Sequence, residues 1–303
     1  MAKARPRPLA KLERLRGLDR PGEQVDYALD LVETEDNLDV IQAALDALAD
    51  TPDARVRRTL LDRFTRDADG AGGGDSGCYR RVALLQALRY RAQRDDAAIL
   101  ERGVTTYEFK PPFLPEHIDP TRGDVAAGLR SVALVTLNEV DETLAGYHAA
   151  RLLVDKYTSP MSGEPAVTAA RVLAAQGHTL PLYGYALREE SGISEVVGEC
   201  LRNLTPLPSS LLPALVARYR DSTDEIVLLG LFDLLLAHPD HTRYDDLVLD
   251  FLRATRLYNI YRYLASAIVA SRREDLAARL QALAAHEPDR TKAEILRDAL
   301  ALR

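Results

Sequence analysis

The residues best equipped for chemistry in this chain are arginines and tyrosines gathered in two short runs. The run "CYRRVALLQALRYR" carries Tyr79, Arg80, Arg81, Arg89, Tyr90 and Arg91, and "RLYNIYRY" carries Arg256, Tyr258, Tyr261, Arg262 and Tyr263. Rings that stack on bases, beside guanidiniums that pair with phosphates, build sequence-tolerant nucleic-acid grooves. The same residues also serve as half-buried packing groups whose hydroxyls reach the rim of a core, and that is the expected use here. The six His are scattered. The "HPDH" turn, His238 to His241, offers two imidazoles and Asp240, but a metal site needs three or four converging ligands. His117 with Asp119 is as thin. The stretch "GAGGGDSG" lacks the Lys and the strand-to-helix setting of a phosphate loop, and Ser191-Gly192 and Ser209-Ser210 have no base beside them. No enzyme motif and no cofactor follow.

A second kind of candidate is apolar. The segment "EFKPPFLPEHIDPTRGD", residues 108 to 124, holds four Pro together with Phe109, Phe113, Leu114 and Ile118. It is stiffened by Pro and too apolar to be simply solvated. Two readings stand: a loop that folds over its own neighbours to hide its aromatics, or an extended loop that docks a partner, with Phe109, Phe113 and Leu114 as anchors.

Short amphipathic helices must position these residues. From Glu164 to Arg303, "PAVTAARVLAAQ", "SEVVGECLRNL", "DEIVLLGLFDLLLA", "NIYRYLASAIVAS" and "KAEILRDALAL" place apolar residues at helical spacing. A small residue recurs in each: Ala170, Gly198, Gly230, Ala265 and Ala293, at intervals of 28, 32, 35 and 28 residues. A small side chain there lets a neighbouring helix approach closely. Partner helices of similar length lie between them, so the unit is a helix, a tight turn and a second helix. Start signals are read at Thr205 before Pro206, Ser222 with Glu225, Ser271 with Glu274 and Thr291 with Glu294.

Upstream, helices are expected near 54 to 66, 78 to 91, 95 to 107, 123 to 138, 141 to 156 and 164 to 176, after a first hairpin made of "EQVDYALDLVE" and "NLDVIQAALDALAD". The small positions Ala43, Ala83, Gly128 and Ala170 are 40, 45 and 42 residues apart. The excess lies in insertions at 67–77, 108–124 and 158–163, each between the two helices of its unit. Equivalent loops of stacked hairpins line one edge, and insertions on one face commonly mark the binding face.

In the second unit Asp50, Asp53, Val56 and Arg57 resemble the aspartate and valine-arginine signature of HEAT repeats. The resemblance implies helical pairs stacked into a curved superhelix, with Asp and Arg side chains laddered between neighbouring repeats and second helices lining the concave face. Other units carry Val167-Thr168, Val196-Val197 and Ile226-Val227 at the corresponding places. Some HEAT-like proteins are bacterial DNA glycosylases that use concave aromatics and an Asp; this chain has no Trp and no Asp that can be assigned that role.

The expectation is an all-α chain: a right-handed α-solenoid superhelix of about eight HEAT-like hairpins over residues 21–303, preceded by a basic arm over 1–20. Residues 1–20 hold seven Lys or Arg, and residues 21–53 hold ten acids and no base. The arm either folds back on the first hairpin as a cap or reaches for an anionic partner; the cap is the expected reading, because the opposite charge is close in the chain. A net charge of −7 argues against a general nucleic-acid binder, because counterion release needs a basic face. With two distant Cys, no apolar leader and its longest apolar run broken by Asp233, the chain reads as cytoplasmic, with no membrane partner. The expected function is binding of a protein or peptide without catalysis; a nucleic-acid-binding or base-excising HEAT-like protein is the alternative.

Overall fold

The computed structural model describes residues 8–70, 74–75, 77–109, 124–188 and 192–302. Among them are seventeen α-helices and no β-strand. The one bridge, Phe109 with Asp124, is an isolated antiparallel pair. No helix among the described residues is long and apolar enough to cross a membrane. The chain divides into two compact units, Met1–Ser159 and Pro160–Arg303.

The first unit holds α1 (Pro8–Arg16), α2 (Pro21–Thr34), α3 (Leu38–Leu48), α4 (Ala54–Ala68), α5 (Tyr79–Leu88), α6 (Ala97–Val104), α7 (Ala127–Val140) and α8 (Glu142–Leu153). Consecutive helices pair as α2 with α3, α4 with α5 and α6 with α7, while α3 also touches α5, and α5 touches α7. The sequence accounts for this on α4. Val56, Thr59, Leu60, Arg63, Phe64 and Asp67 are its buried residues, spaced three or four apart so that one stripe faces inward. Helix α1 lies against α2 and α3. Its Leu15 is buried, Lys11 pairs with Glu35, and the Arg14 guanidinium sits 4.2 Å from the Tyr27 ring. The charge contrast between arm and first hairpin becomes direct contact.

The second unit holds α9 (Ala166–Ala175), α10 (Thr179–Leu187), α11 (Ser194–Arg202), α12 (Leu212–Tyr219), α13 (Glu225–Ala237), α14 (Asp245–Ala254), α15 (Tyr258–Ala270), α16 (Glu274–Ala285) and α17 (Arg290–Leu300). Here α9, α11, α13, α15 and α17 each touch the next in that series, and α10, α12 and α16 lie against their following partners. Burial follows from this placement. Helix α11 is buried without a break from Val196 to Leu201 because it has neighbours on several sides, whereas α12 buries only Leu212, Leu215 and Val216 along one stripe.

Two of the small residues are the reason α11 and α13 come so close. A Cβ added at Gly230 would stand 2.4 Å from the Gly198 carbonyl oxygen, and one at Gly198 would stand 2.7 Å from the Ile226 carbonyl oxygen. Ala170 and Ala265 are fully buried as well. Gly128 corrects the upstream series: it is exposed, with nothing near its missing side chain. The close approach of α6 to α7 is made instead by Gly103, whose Cβ would meet that of Ala133 at 2.8 Å.

The start signals also move. Asp224 caps α13, accepting from the Ile226 and Val227 amides at 2.9 and 3.1 Å, and the Ser222 hydroxyl accepts from the Asp224 amide. Asp289, not Thr291, caps α17, α16 has no side-chain cap, and α12 starts at Leu212 rather than Pro206. A carboxylate satisfies two orphan amides and its charge suits the positive end of the helix dipole, so it displaces a nearby hydroxyl.

Candidate interaction site

The shoulders of the three insertions come together on one side of the first unit, held there by buried arginines. Arg81 reaches Asp75 of the first insertion at 2.8 Å and Glu108 of the second at 2.6 Å, and it donates to Cys78 Sγ at 3.2 Å. Beyond Glu108, the Phe109 ring meets the Tyr157 ring, just before the third insertion, edge to face at 4.8 Å. Tyr107 adds a second edge contact to Tyr157 at 5.7 Å.

Arg130 closes the base of the second insertion. It is fully buried, pairs with Asp124 and donates to the Thr106 carbonyl at 3.0 Å, so one guanidinium grips both ends of the loop. Its guanidinium carbon lies 4.1 Å from the centre of the Tyr107 ring, whose hydroxyl donates to Asp155 at 2.9 Å. The Glu108 amide donates to Asp124 and the Val125 amide to the Glu108 carbonyl, which fixes the two strands of chain where they enter the loop. Phe113 and Leu114 lie outside the described residues, as do His117, Asp119 and Ser191. Phe109 is 46% exposed and Tyr157 38%, so the edge presents aromatic surface on a rigid base.

Burial and the ion pairs set the protonation of the acid and the thiol at this edge. Arg81's hydrogen bond holds the Glu108 carboxyl below its ordinary value against partial burial. Burial pushes the Cys78 thiol up to about 12, and it raises Cys200 as well. A thiol that keeps its proton at neutral pH is a poor nucleophile and a poor metal ligand. Among the described residues no three His, Cys, Asp or Glu side chains are grouped to hold a metal ion.

The Arg/Tyr runs split by direction. Arg80 is buried against Asp67 at 2.5 and 2.8 Å, and Arg63 joins the same carboxylate at 3.2 Å and Asp36 at 2.9 Å. Arg80 and Arg81 therefore face carboxylates inside the unit. Arg89 pairs with Glu139 of α7 at 2.9 Å, and Arg91 caps the end of α3 through the Leu48 and Thr51 carbonyls at 2.6 and 2.7 Å. Tyr79 and Tyr90 remain exposed. In the second unit Tyr261 is fully buried, while Arg256, Tyr258, Arg262 and Tyr263 are exposed. Tyr258 donates to Asp289 at 2.8 Å.

Tyr263 ends a polar line across four helices. Arg171 on α9 reaches Glu199 on α11 at 2.9 Å, Arg202 joins Glu199 at 2.8 Å and Asp233 on α13 at 2.9 Å, and the Tyr263 hydroxyl on α15 donates to Asp233. Burial works to raise the Glu199 carboxyl, but the Arg171 hydrogen bond and the neighbouring charges outweigh it and leave it below 4.5. The stabilisation is thus complete above pH 4.5 and is lost as pH falls through the lower, folded value. Glu199→Gln is expected to cost about 1–3 kcal/mol at neutral pH. In urea titrations the gap from wild type should narrow below pH 4.5; a gap that stays constant would mean the charge is irrelevant.

The "HPDH" turn is a latch. His238 is buried, its Nε2 is 2.7 Å from the Leu207 carbonyl, and Nδ1 accepts from the Asp240 amide at 3.0 Å. Both nitrogens are consumed in tying the α11–α12 connection to the end of α13. His238→Ala should lower stability by about 1–3 kcal/mol because a buried carbonyl loses its donor, which thermal melts would register. No protein-family model matches the chain, and no curated protein matches it.

Three features escaped sequence reasoning: Arg130, the Tyr107–Tyr157 pair, and an open groove between α3 and α5. A signal existed for the first. Arg130 occupies the register of Ala133, Leu134 and Leu137 on α7, and a charge on an apolar stripe predicts a buried partner.

Proposed function

We propose that this chain is a HEAT-like α-solenoid of about eight helical hairpins, capped by α1, that binds a protein or peptide without catalysing a reaction. Arg57 supports the family reading: it reaches Asp96 at the start of the next hairpin at 2.9 Å, in the manner of a ladder between repeats. The observation that carries the binding role is the insertion edge. Arg81 and Arg130 hold three loop shoulders together beneath the partly exposed Phe109 and Tyr157, and aromatic anchors on a stiff base suit recognition by shape. Support for a protein partner over a phosphate backbone comes from the arginines: Arg80, Arg81, Arg89 and Arg91 are all engaged inside the first unit.

The test replaces residues 110–120 with a Gly/Ser linker and compares the proteins captured by wild type and variant. The expected result is a partner lost by the variant while its helical circular dichroism is kept. Capture unchanged by the replacement, or nucleic acid as the main captured species, would sink the reading.

A further inference from the structure

A groove of about 530 Å³ runs between α3 and α5. Its floor includes Leu45, Leu48 and Ala83, and its rim carries Asp46, Asp50 and Tyr90. The Tyr90 ring is 87% exposed, so it gains little from its own fold. Residues 79, 86 and 90 fall on one stripe of the helix and its final turn, and all three are exposed.

The charge of this lining is one-sided. The Asp46 carboxylate accepts from Gln42 at 2.9 Å, and neither Asp46 nor Asp50 has an ion-pair partner among the described residues. The one cation in the lining, Arg91, is spent on the carbonyls that end α3. Those carbonyls are the negative end of a helix dipole. The wall made by residues 21–53 contains no Lys or Arg at all. The Arg89 guanidinium, paired with Glu139, stands 5.3 Å from the Tyr90 ring, and an exposed aromatic face of this kind attracts cations.

We infer that the α3/α5 groove is a docking site for a cationic peptide segment of a partner protein, one that alternates basic and apolar side chains. The apolar residues fill the floor, and the basic ones meet Asp46, Asp50 and Tyr90. This rests on the scaffold reading above and assigns it a particular groove and partner chemistry.

The probe is a fluorescein-labelled peptide alternating Arg and Leu, read by fluorescence anisotropy against the full chain. A Glu/Leu peptide and a single-stranded oligonucleotide of similar length serve as comparators. Tyr90→Ala, and Asp46→Asn with Asp50→Asn, are each expected to weaken Arg/Leu binding by about tenfold. Asp30→Asn with Asp39→Asn, exposed acids of the same hairpin outside the groove, should leave it unchanged. No effect of Tyr90→Ala, or equal weakening by the control pair, would reduce the binding to diffuse charge attraction and overturn the proposal. Tighter binding of the oligonucleotide would overturn it too. So would a concentration-dependent dimer abolished by Tyr90→Ala, or groove affinity that rises when residues 1–7 are deleted, since either puts another occupant in the groove. A failure of the groove variants alone, with partner capture still lost on replacing residues 110–120, removes this proposal and leaves the scaffold reading standing.

Discussion

Asp67→Asn is expected to cost the first unit about 3–5 kcal/mol. The Asp67 side chain is fully buried between two guanidiniums that are themselves 3% and 5% exposed, those of Arg63 and Arg80. Asn keeps the shape but brings one acceptor and an amide that repels the cations. Asp36 touches both arginines, at 2.9 and 3.3 Å, yet its own side chain is half exposed, so it offsets little of the loss. Urea denaturation followed by circular dichroism would measure the change, and a cost under about 1 kcal/mol would show the network to be dispensable. A triple variant, Asp67→Leu with Arg63→Met and Arg80→Met, should recover most of the stability, because a packed apolar set carries no desolvation penalty. That recovery separates charge from packing.

The second large effect is at the α11–α13 contact. Gly230→Ala puts a methyl group 2.4 Å from the Gly198 carbonyl oxygen and 2.7 Å from its Cα. Both obstacles are backbone, so no side chain can swing aside and the helices must separate. The cost expected is about 1–3 kcal/mol or somewhat more. Separation would also strain the line from Arg202 to Asp233, which spans the same two helices. Gly198→Ala meets the Ile226 carbonyl at 2.7 Å and should be similar. The double variant should cost less than the sum, because the first displacement makes room for the second. Strict additivity of the two melting shifts would mean the contact is not shared.

Helix content and the small-residue contact were legible from periodicity, because 3.6-residue spacing and a missing side chain act locally; pairing was legible only in part, since α8 lies against α7 and is assigned to a different unit from α9, its expected partner. The expected helix at 54 to 66 is α4, and the Gly198 and Gly230 positions are where two helices touch. Cap identity was read less well, since Ser222 and Thr291 stand beside aspartates that compete for the same amides. The arginines at the shoulders of the insertions, Arg81 and Arg130, were not legible, because their partners Asp75, Glu108 and Asp124 lie outside their own helices.

What the chain's order of residues determined by itself was which stretches become helices and which faces of them turn inward, for both follow from spacing along a single segment. What only the tertiary structure decided was the direction of the long cations. Arg80 and Arg89 stand in the same run, yet the first is buried on Asp67 and the second lies at the surface on Glu139. A guanidinium on a flexible stem goes to whichever carboxylate the fold brings within reach, and Asp67 and Glu139 are brought there by other helices. The groove beside Tyr90 has the same origin, because an opening between two helices belongs to neither of them alone.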